Sequence, residues 1–273
     1  MSTFTLPDGK SLYYEIHGTG EPIVMLHGWA SSHTVYNEAA ALLSERAQCI
    51  LYDHRGHMNS KSAAVPDIDL TVLADDLEAF LAGLGRGQVT LLGWSMGTSC
   101  ALRYVERYGC GRLRRLILCD CSPKIRSADD WEYDVTLGYN GSHDLRKMNA
   151  EEFYLLFCAF VKRTKPELAR KKPALLEHYL EEKHRSCDWE CLRLLVISLL
   201  TSDFRPCIAQ ITVPTAYIYA DPGSLFSPRV KDWYAAQGLP GFQSIGIGNS
   251  THDFLREHPD AFADAVCEIL NKI

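Results

Sequence analysis

Val89-Thr90-Leu91-Leu92-Gly93-Trp94-Ser95-Met96-Gly97-Thr98 is the stretch that decides the fold of this 273-residue chain. Val89 to Leu92 is an apolar run of β type, and the residues from Thr98 to Tyr108 read as a helix. Between them, Gly93 to Gly97 carry the pattern G-x-S-x-G. Strand, tight turn and helix in that order is the setting in which this pattern carries chemistry. Such a turn strains the serine and exposes its hydroxyl, while the glycines let strand and helix pack closely around it. A bare G-x-S-x-G is weak, because a turn of small residues can do nothing at all. The context makes Ser95 a candidate nucleophile.

Outward from this turn, strands and helices alternate. Phe4-Thr5-Leu6 and Leu12 to Ile16 flank Asp8-Gly9, a hairpin turn. Ile23-Val24-Met25-Leu26 is short and wholly apolar, as a strand in a sheet covered on both faces would be. A helix is predicted from Thr34 to Arg46, a strand at Cys49 to Tyr52, a helix from Leu70 to Leu84 capped by Asp69 or Thr71, and a strand at Leu116 to Cys119. From Ser122 to about Arg205 the strands stop and helical segments follow one another: Glu151 to Lys162, Pro173 to His184 and Asp188 to Leu200. Alternation resumes with the strand Thr215 to Tyr219, a helix around Pro228 to Gln237, the strand Phe242 to Gly246 and a helix from Pro259 to Ile269. This order predicts an α/β core over 1–121 and 206–273, with a helical cap inserted over 122–205. Ligands of such sheets sit beyond the carboxyl ends of the strands, so the insertion is placed to roof the site.

Bulk properties narrow the function classes. A net charge of −6 argues against nucleic acid or an anionic membrane as the main partner. No apolar run reaches membrane-spanning length; Leu192 to Leu200 is about half of what is required. The first residues show neither a basic region nor an apolar stretch, so a cytoplasmic protein is expected. Most of the 10 cysteines fall in apparent core elements, where cysteine acts as a small hydrophobe. His184, Cys187 and Cys191 form an H-x-x-C-x-x-x-C run, but a helix surface with two ordinary thiols explains it and no fourth ligand is evident. No metal site is predicted.

Four segments in this order resemble the α/β-hydrolase superfamily over essentially the whole chain: His27-Gly28-Trp29, Asp53-His54-Arg55-Gly56-His57, the Ser95 turn, and Thr251-His252-Asp253. The resemblance implies a mostly parallel eight-stranded sheet with helices on both faces and, in its serine branch, an esterase- or haloperoxidase-like enzyme. A serine hydroxyl needs an adjacent base, and the superfamily's order of serine, acid, histidine points to His252. His27 belongs to the loop implied to hold the oxyanion, and His54 and His57 to a structural turn; His33 is nearby but less suited. By position the oxyanion donors are the backbone amides of Trp29 and Met96.

The acid is where the chain departs from the superfamily pattern. After Thr215 to Tyr219 the usual place of the acid is taken by Gly223, which cannot orient a histidine. Two carboxylates stay open, Asp120, closing the strand Leu116 to Cys119, and Asp221, two residues before Gly223, beside a site with no acid at all. An aspartate nucleophile, as in the related dehalogenases and epoxide hydrolases, is excluded by Ser95.

Trp94 beside the nucleophile, and Trp131, Tyr139, Phe153 and Phe157 in the insertion, are candidate substrate-binding residues, although packing of the insertion onto the core accounts for most such aromatics. Phe153 and Phe157 are four apart and share one helix face. The reading is a serine hydrolase acting on a small or medium carboxylic ester or lactone without a cofactor, as a monomer or homodimer with a small-molecule substrate. Its competitors are cofactor-independent chemistry centred on His252 (carbon–carbon hydrolysis, perhydrolysis or oxygenation) and a silent ligand-binding protein.

Overall fold

The computed structural model describes residues 2–133 and 144–272. Its strands are β1 (Ser2–Thr5), β2 (Ser11–His17), β3 (Glu21–Leu26), β4 (Ala47–Tyr52), β5 (Val89–Trp94), β6 (Leu113–Cys119), β7 (Thr215–Gly223) and β8 (Gln243–Thr251). They form one eight-stranded sheet in the order β1-β2-β4-β3-β5-β6-β7-β8. β2 runs antiparallel to both β1 and β4, and every pairing from β4 across to β8 is parallel.

The apolar runs make sense as strands buried on both sides. Val24, Leu26, Leu91, Leu116 and Leu118 enter the core on one face of the sheet. Their neighbours Ile23, Met25, Leu92, Ile117 and Cys119 enter the core on the other, as the two-residue period of a strand requires. The helices are α1 (Asn37–Leu43), α2 (Leu70–Gly83), α3 (Met96–Tyr108), α4 (Ala150–Thr164), α5 (Pro166–Lys171), α6 (Pro173–Ser186), α7 (Trp189–Thr201), α8 (Val230–Ala235), α9 (Phe254–Glu257) and α10 (Pro259–Asn271). α2, α3 and α8 cover the first face, and α1, α9 and α10 the second.

α2 shows how sequence sets one of these elements. Asp69 caps it, accepting a hydrogen bond from the Val72 amide at 2.8 Å. Leu70, Leu73, Leu77, Phe80 and Leu81 then place one apolar stripe against the sheet. On the same helix Asp76 is buried, and Arg55 grips its carboxylate with two hydrogen bonds of 2.5 and 2.8 Å.

Among the described residues four α-helices, α4 to α7, lie between β6 and β7 in the chain. α4 begins in a capping box made by Asn149 and Glu152, and α5 and α6 each begin with proline at the first turn. These helices build a core of their own from Phe153, Phe157, Val161, Leu176, Leu180, Trp189 and Leu192, joined by Ala30 and Trp29 of the loop after β3. Backbone bonds tie this layer to the sheet domain: the Asp188 amide donates to the Gly56 carbonyl at 2.8 Å. Trp29 Nε1–H likewise donates to the Leu192 carbonyl at 2.9 Å. Among the described residues no helix is long and apolar enough to cross a membrane.

Several boundaries differ from the sequence reading. The helix expected from Thr34 to Arg46 divides into a 3-10 turn, His33–Tyr36, and the shorter α1. α5, six residues long, has no apolar period to announce it. The consequential difference is at the sheet's carboxyl edge. β7 continues past Tyr219 to Gly223, and β8 past Gly246 to Thr251, because the two strands stay paired up to Gly223 and Thr251.

Candidate active site

Ser95 sits on the sharp turn between β5 and α3 with φ 56° and ψ −121°, a conformation L-residues rarely adopt. The surroundings force it. The Ser95 amide donates to the Cys119 carbonyl at 3.0 Å, and Thr98 Oγ1–H donates to the Gly93 carbonyl at 2.5 Å. A side chain on Gly93 would meet the Gly97 carbonyl at 2.3 Å, and one on Gly97 would meet the Leu26 carbonyl at 2.0 Å. Both glycines are therefore required by close backbone approach. The Ser95 side chain is half-buried.

His252 follows the end of β8 and lies beside this turn through Trp94. Trp94 Nε1–H donates to the His252 carbonyl at 3.0 Å, and the two rings lie 5.1 Å apart, tilted by 32°. His252 Nδ1–H donates to Asp120 Oδ2 at 2.6 Å. Asp120 is fully buried and takes a left-handed φ of 42° at the end of β6. Its amide donates to the Ile218 carbonyl at 2.8 Å, and its second carboxylate oxygen accepts from the Ala220 amide at 3.3 Å. The carboxylate is thus fixed from both sides and aimed at one ring nitrogen, leaving Nε2 free to act as an acceptor. Among the described residues the Ser95 hydroxyl has no hydrogen-bond partner, His252 Nε2 included. Such bonds are often long before substrate arrives.

Of the two carboxylates that the sequence left open, Asp120 is the one that the structure brings to His252. Asp221 is exposed on β7, where its charge acts on Lys231 of α8. Gly223 is held by backbone pairing: the His252 amide donates to its carbonyl at 3.1 Å, and a side chain there would strike the Ser250 carbonyl at 2.5 Å. An acid at that position has no room.

The loop after β3 brings its backbone to the same place. A Cβ on Gly28 would lie 3.1 Å from Ser95 Cβ. Neither the Trp29 nor the Met96 amide donates a hydrogen bond among the described residues, the latter being one of the orphan donors at the start of α3. The orientation of the Trp29 amide is set from behind. His27 Nδ1–H donates to the Gly28 carbonyl at 2.8 Å, and that carbonyl shares a rigid peptide plane with the Trp29 N–H. His27 Nε2 accepts from the His54 amide at 3.0 Å. His57 works the same way, donating to the Arg55 carbonyl at 2.8 Å and accepting from the Ala30 amide at 3.3 Å. Each ring spends one nitrogen as donor and one as acceptor, so both are neutral. Burial, reinforced by the neighbouring histidines, holds His27 well below the usual histidine range. Burial likewise pushes His54 down to about 3 and His57 to about 4.

The comparisons with known proteins agree with this architecture. Residues 21–154 match the family model of the alpha/beta hydrolase fold. The esterase EaEST from Exiguobacterium antarcticum superposes with a TM-score of 0.83 at 23% identity, covering 99% of each chain. The chain has the α/β-hydrolase fold. Among curated relatives, the non-heme chloroperoxidase CPO-A1 of Kitasatospora aureofaciens is 34% identical over 131 residues, 48% of this chain and 47% of that protein. A pimeloyl-[acyl-carrier protein] methyl ester esterase of Aeromonas hydrophila is 26% identical over 94% of this chain and 98% of that one. The chain spans about half the length of the haloperoxidase relatives that it matches at 30% identity or more.

Within this α/β-hydrolase fold the aromatic candidates separate into groups. Trp94 lies under His252 and is 5% exposed. Phe153 and Phe157 pack against Trp29, at 5.9 and 5.5 Å between rings, and against Trp189. Trp131 is elsewhere: its indole N–H donates to the Lys124 carbonyl at 2.9 Å and its ring packs on Trp233 at 5.2 Å, fixing the start of the insertion to α8. Tyr139 lies outside the described residues. Trp189 and Phe226, whose ring is 6.0 Å from that of His252, were not singled out from sequence, where nothing distinguishes them from core aromatics.

Proposed function

We propose that this protein hydrolyses a carboxylic ester or lactone through an acyl-enzyme on Ser95. The observation that carries the reading is the 2.6 Å bond from His252 Nδ1 to the buried Asp120 carboxylate, beside a serine held in a strained turn. Asp120 fixes the tautomer and stabilises the imidazolium that forms when Nε2 takes the serine proton. Ser95 Oγ then bonds to the substrate carbonyl carbon. The amides of Trp29 and Met96 receive the charge that develops on its oxygen, where preorganised donors act most strongly. The imidazolium returns the proton to the departing alcohol, and water repeats the sequence to release the acid.

The proposed roles need no group beyond those of the chain. Phe153, Phe157 and Trp29 supply an apolar wall, and the helices α4 to α7 serve as the cap over it. The half-length match to a chloroperoxidase supports one second reading, in which hydrogen peroxide rather than water attacks the same acyl-enzyme and releases a peracid. Hydrolysis of p-nitrophenyl acetate, butyrate and octanoate by the wild type and by Ser95→Ala tests the first reading. Turnover by the wild type and its loss in the variant is the expected result; turnover that survives Ser95→Ala would move the chemistry to His252. Monitoring peracid in the presence of peroxide tests the second.

A further inference from the structure

The seam between the helical insertion and the loops flanking the site is cationic in a protein whose net charge is −6. Asp253, next to His252, receives Lys165 Nζ at 2.7 Å and an Arg256 nitrogen at 3.3 Å. Arg256 also reaches Ser31 Oγ at 3.5 Å, two residues beyond Trp29. Behind them lies Lys183 of α6, only 6% exposed. Lysine is almost never buried without a carboxylate to pair with. Among the described residues this ammonium donates no hydrogen bond and forms no ion pair; it lies over the face of the Tyr179 ring, 5.5 Å away.

Charge bookkeeping shows what is missing. Lys165, Lys183 and Arg256 are three cations; among the described residues half-buried Asp253 pairs with Lys165 and Arg256, and Glu182, which like Asp253 also acts on Lys183, is exposed. Burial opposes ionisation of Asp253, but Lys165 and Arg256 together hold its carboxyl below the usual range. Its charge is therefore already taken. Burial pushes Lys183 below the usual lysine range, and Arg256 adds to that effect. The same ammonium acts on His27 and His57 behind the loop after β3. Lys183 thus lies on the buried face of α6, towards the histidines behind the Gly28–Ser31 loop, while exposed Arg256 reaches that loop at Ser31. An anion entering on the Arg256 side would meet a buried ammonium and the free donors of a guanidinium, the pairing that makes charge-assisted hydrogen bonds strong.

We propose that Lys183 and Arg256 form a subsite for a carboxylate carried by the substrate itself, so that the preferred substrates are acid-bearing esters or lactones, such as half-esters of dicarboxylic acids. The inference rests on the hydrolase reading only for the word ester. Lys183 is a binding residue here, remote from the bond that breaks.

The test measures binding without turnover. Ser95→Ala protein is titrated calorimetrically with the monomethyl esters of succinate, glutarate and adipate, and with the matching dimethyl esters. At least one monoester is expected to bind about tenfold or more tightly than its neutral diester. Adding Lys183→Met, which keeps most of the stem and removes the charge, is expected to abolish that difference, and adding Arg256→Gln to reduce it. Arg256 is exposed, so the second variant reports even where the first fails to fold. Equal binding of every monoester and diester, absence of binding by all of them, or a preference untouched by both substitutions would overturn the subsite. Because no hydrolysis is read, failure of the acyl-enzyme reading would show separately, in the wild-type ester assays.

Discussion

Replacing Asp120 by Asn probes the charge that organises the site while sparing the fold. Asn is isosteric, and it tolerates the left-handed φ of 42° that Asp120 adopts. The Ala220 amide can still donate to its side-chain oxygen. What changes is the 2.6 Å bond to His252 Nδ1. A carboxylate can only accept there, which places the imidazole proton on Nδ1 and leaves Nε2 basic; an amide can present N–H instead, stabilising the opposite tautomer with the proton on Nε2. The imidazolium formed during acyl transfer also loses its counter-ion in a fully buried place. In serine enzymes of this kind the equivalent change lowers kcat by about 10⁴, which corresponds to roughly 5–6 kcal/mol of barrier. The assay is kcat on p-nitrophenyl butyrate at pH 7.5, with circular dichroism and thermal midpoints to show that the variant is folded. Asp221→Asn serves as the control and is expected to stay within about twofold of wild type, because that carboxylate is exposed and among the described residues makes no hydrogen bond to the imidazole. A folded Asp120→Asn protein keeping more than a tenth of the activity, or an equal loss in Asp221→Asn, would refute the assignment.

Other consequences follow from packing and charge. Gly97→Ala would drive a methyl carbon to 2.0 Å from the Leu26 carbonyl, and the backbone shift required is expected to cost about 2–3 kcal/mol in urea unfolding. Arg55→Met leaves the buried Asp76 carboxylate without its bidentate partner, a loss of about 3–5 kcal/mol, and the double change with Asp76→Leu is expected to recover much of it. Acid should destabilise the fold early. The unfolded chain protonates His27, His54 and His57 near pH 6.5, whereas burial delays this to about 3 for His54, to about 4 for His57, and well below the usual range for His27. Their stabilising contribution is thus complete above pH 6.5 and is lost as pH falls from there towards 4, at about 1 kcal/mol per pH unit for each. His33 runs the other way: burial lowers its pKa but Asp53 more than offsets this, so its contribution is full at low pH and lost as pH rises through its raised value. Burial raises Asp76 to about 6, so it opposes the three histidines below pH 6, whereas His33 is already at full contribution below 6.5. With three groups against one, urea midpoints should still drop between pH 6.5 and 4, and a flat profile would contradict the neutral histidine cluster.

Much of the architecture was legible because apolar runs and turn residues encode it directly. Ile23 to Leu26 and Val89 to Leu92 could only be buried strands, and the start of α2 was legible to within the choice of Asp69 or Thr71 as its cap. The glycines around Ser95 were legible as a turn, although not the particular carbonyls that forbid side chains on them. The partner of His252 was not legible. Asp120 and Asp221 are both aspartates at the carboxyl end of a strand, and what separates them is tertiary: the pairing of β7 with β8 as far as Gly223 and Thr251, and the left-handed turn at Asp120. The aromatics of the insertion divide for a similar reason, since nothing local tells Trp131, clamped on Trp233, from Phe157, packed on Trp29. Lys183 did leave a trace. With Leu176 and Leu180 it falls at spacings of four and three, which put it on the buried face of α6, a place where a lysine needs a reason.

The central claim is that Ser95 is a nucleophile activated by His252. Intact-mass analysis after exposure to a fluorophosphonate, with peptide mapping, measures this without a known substrate. The account predicts one adduct per chain, on Ser95, absent in Ser95→Ala and formed far more slowly in His252→Ala. A folded wild-type protein that takes up no label, or takes it up elsewhere, would contradict it.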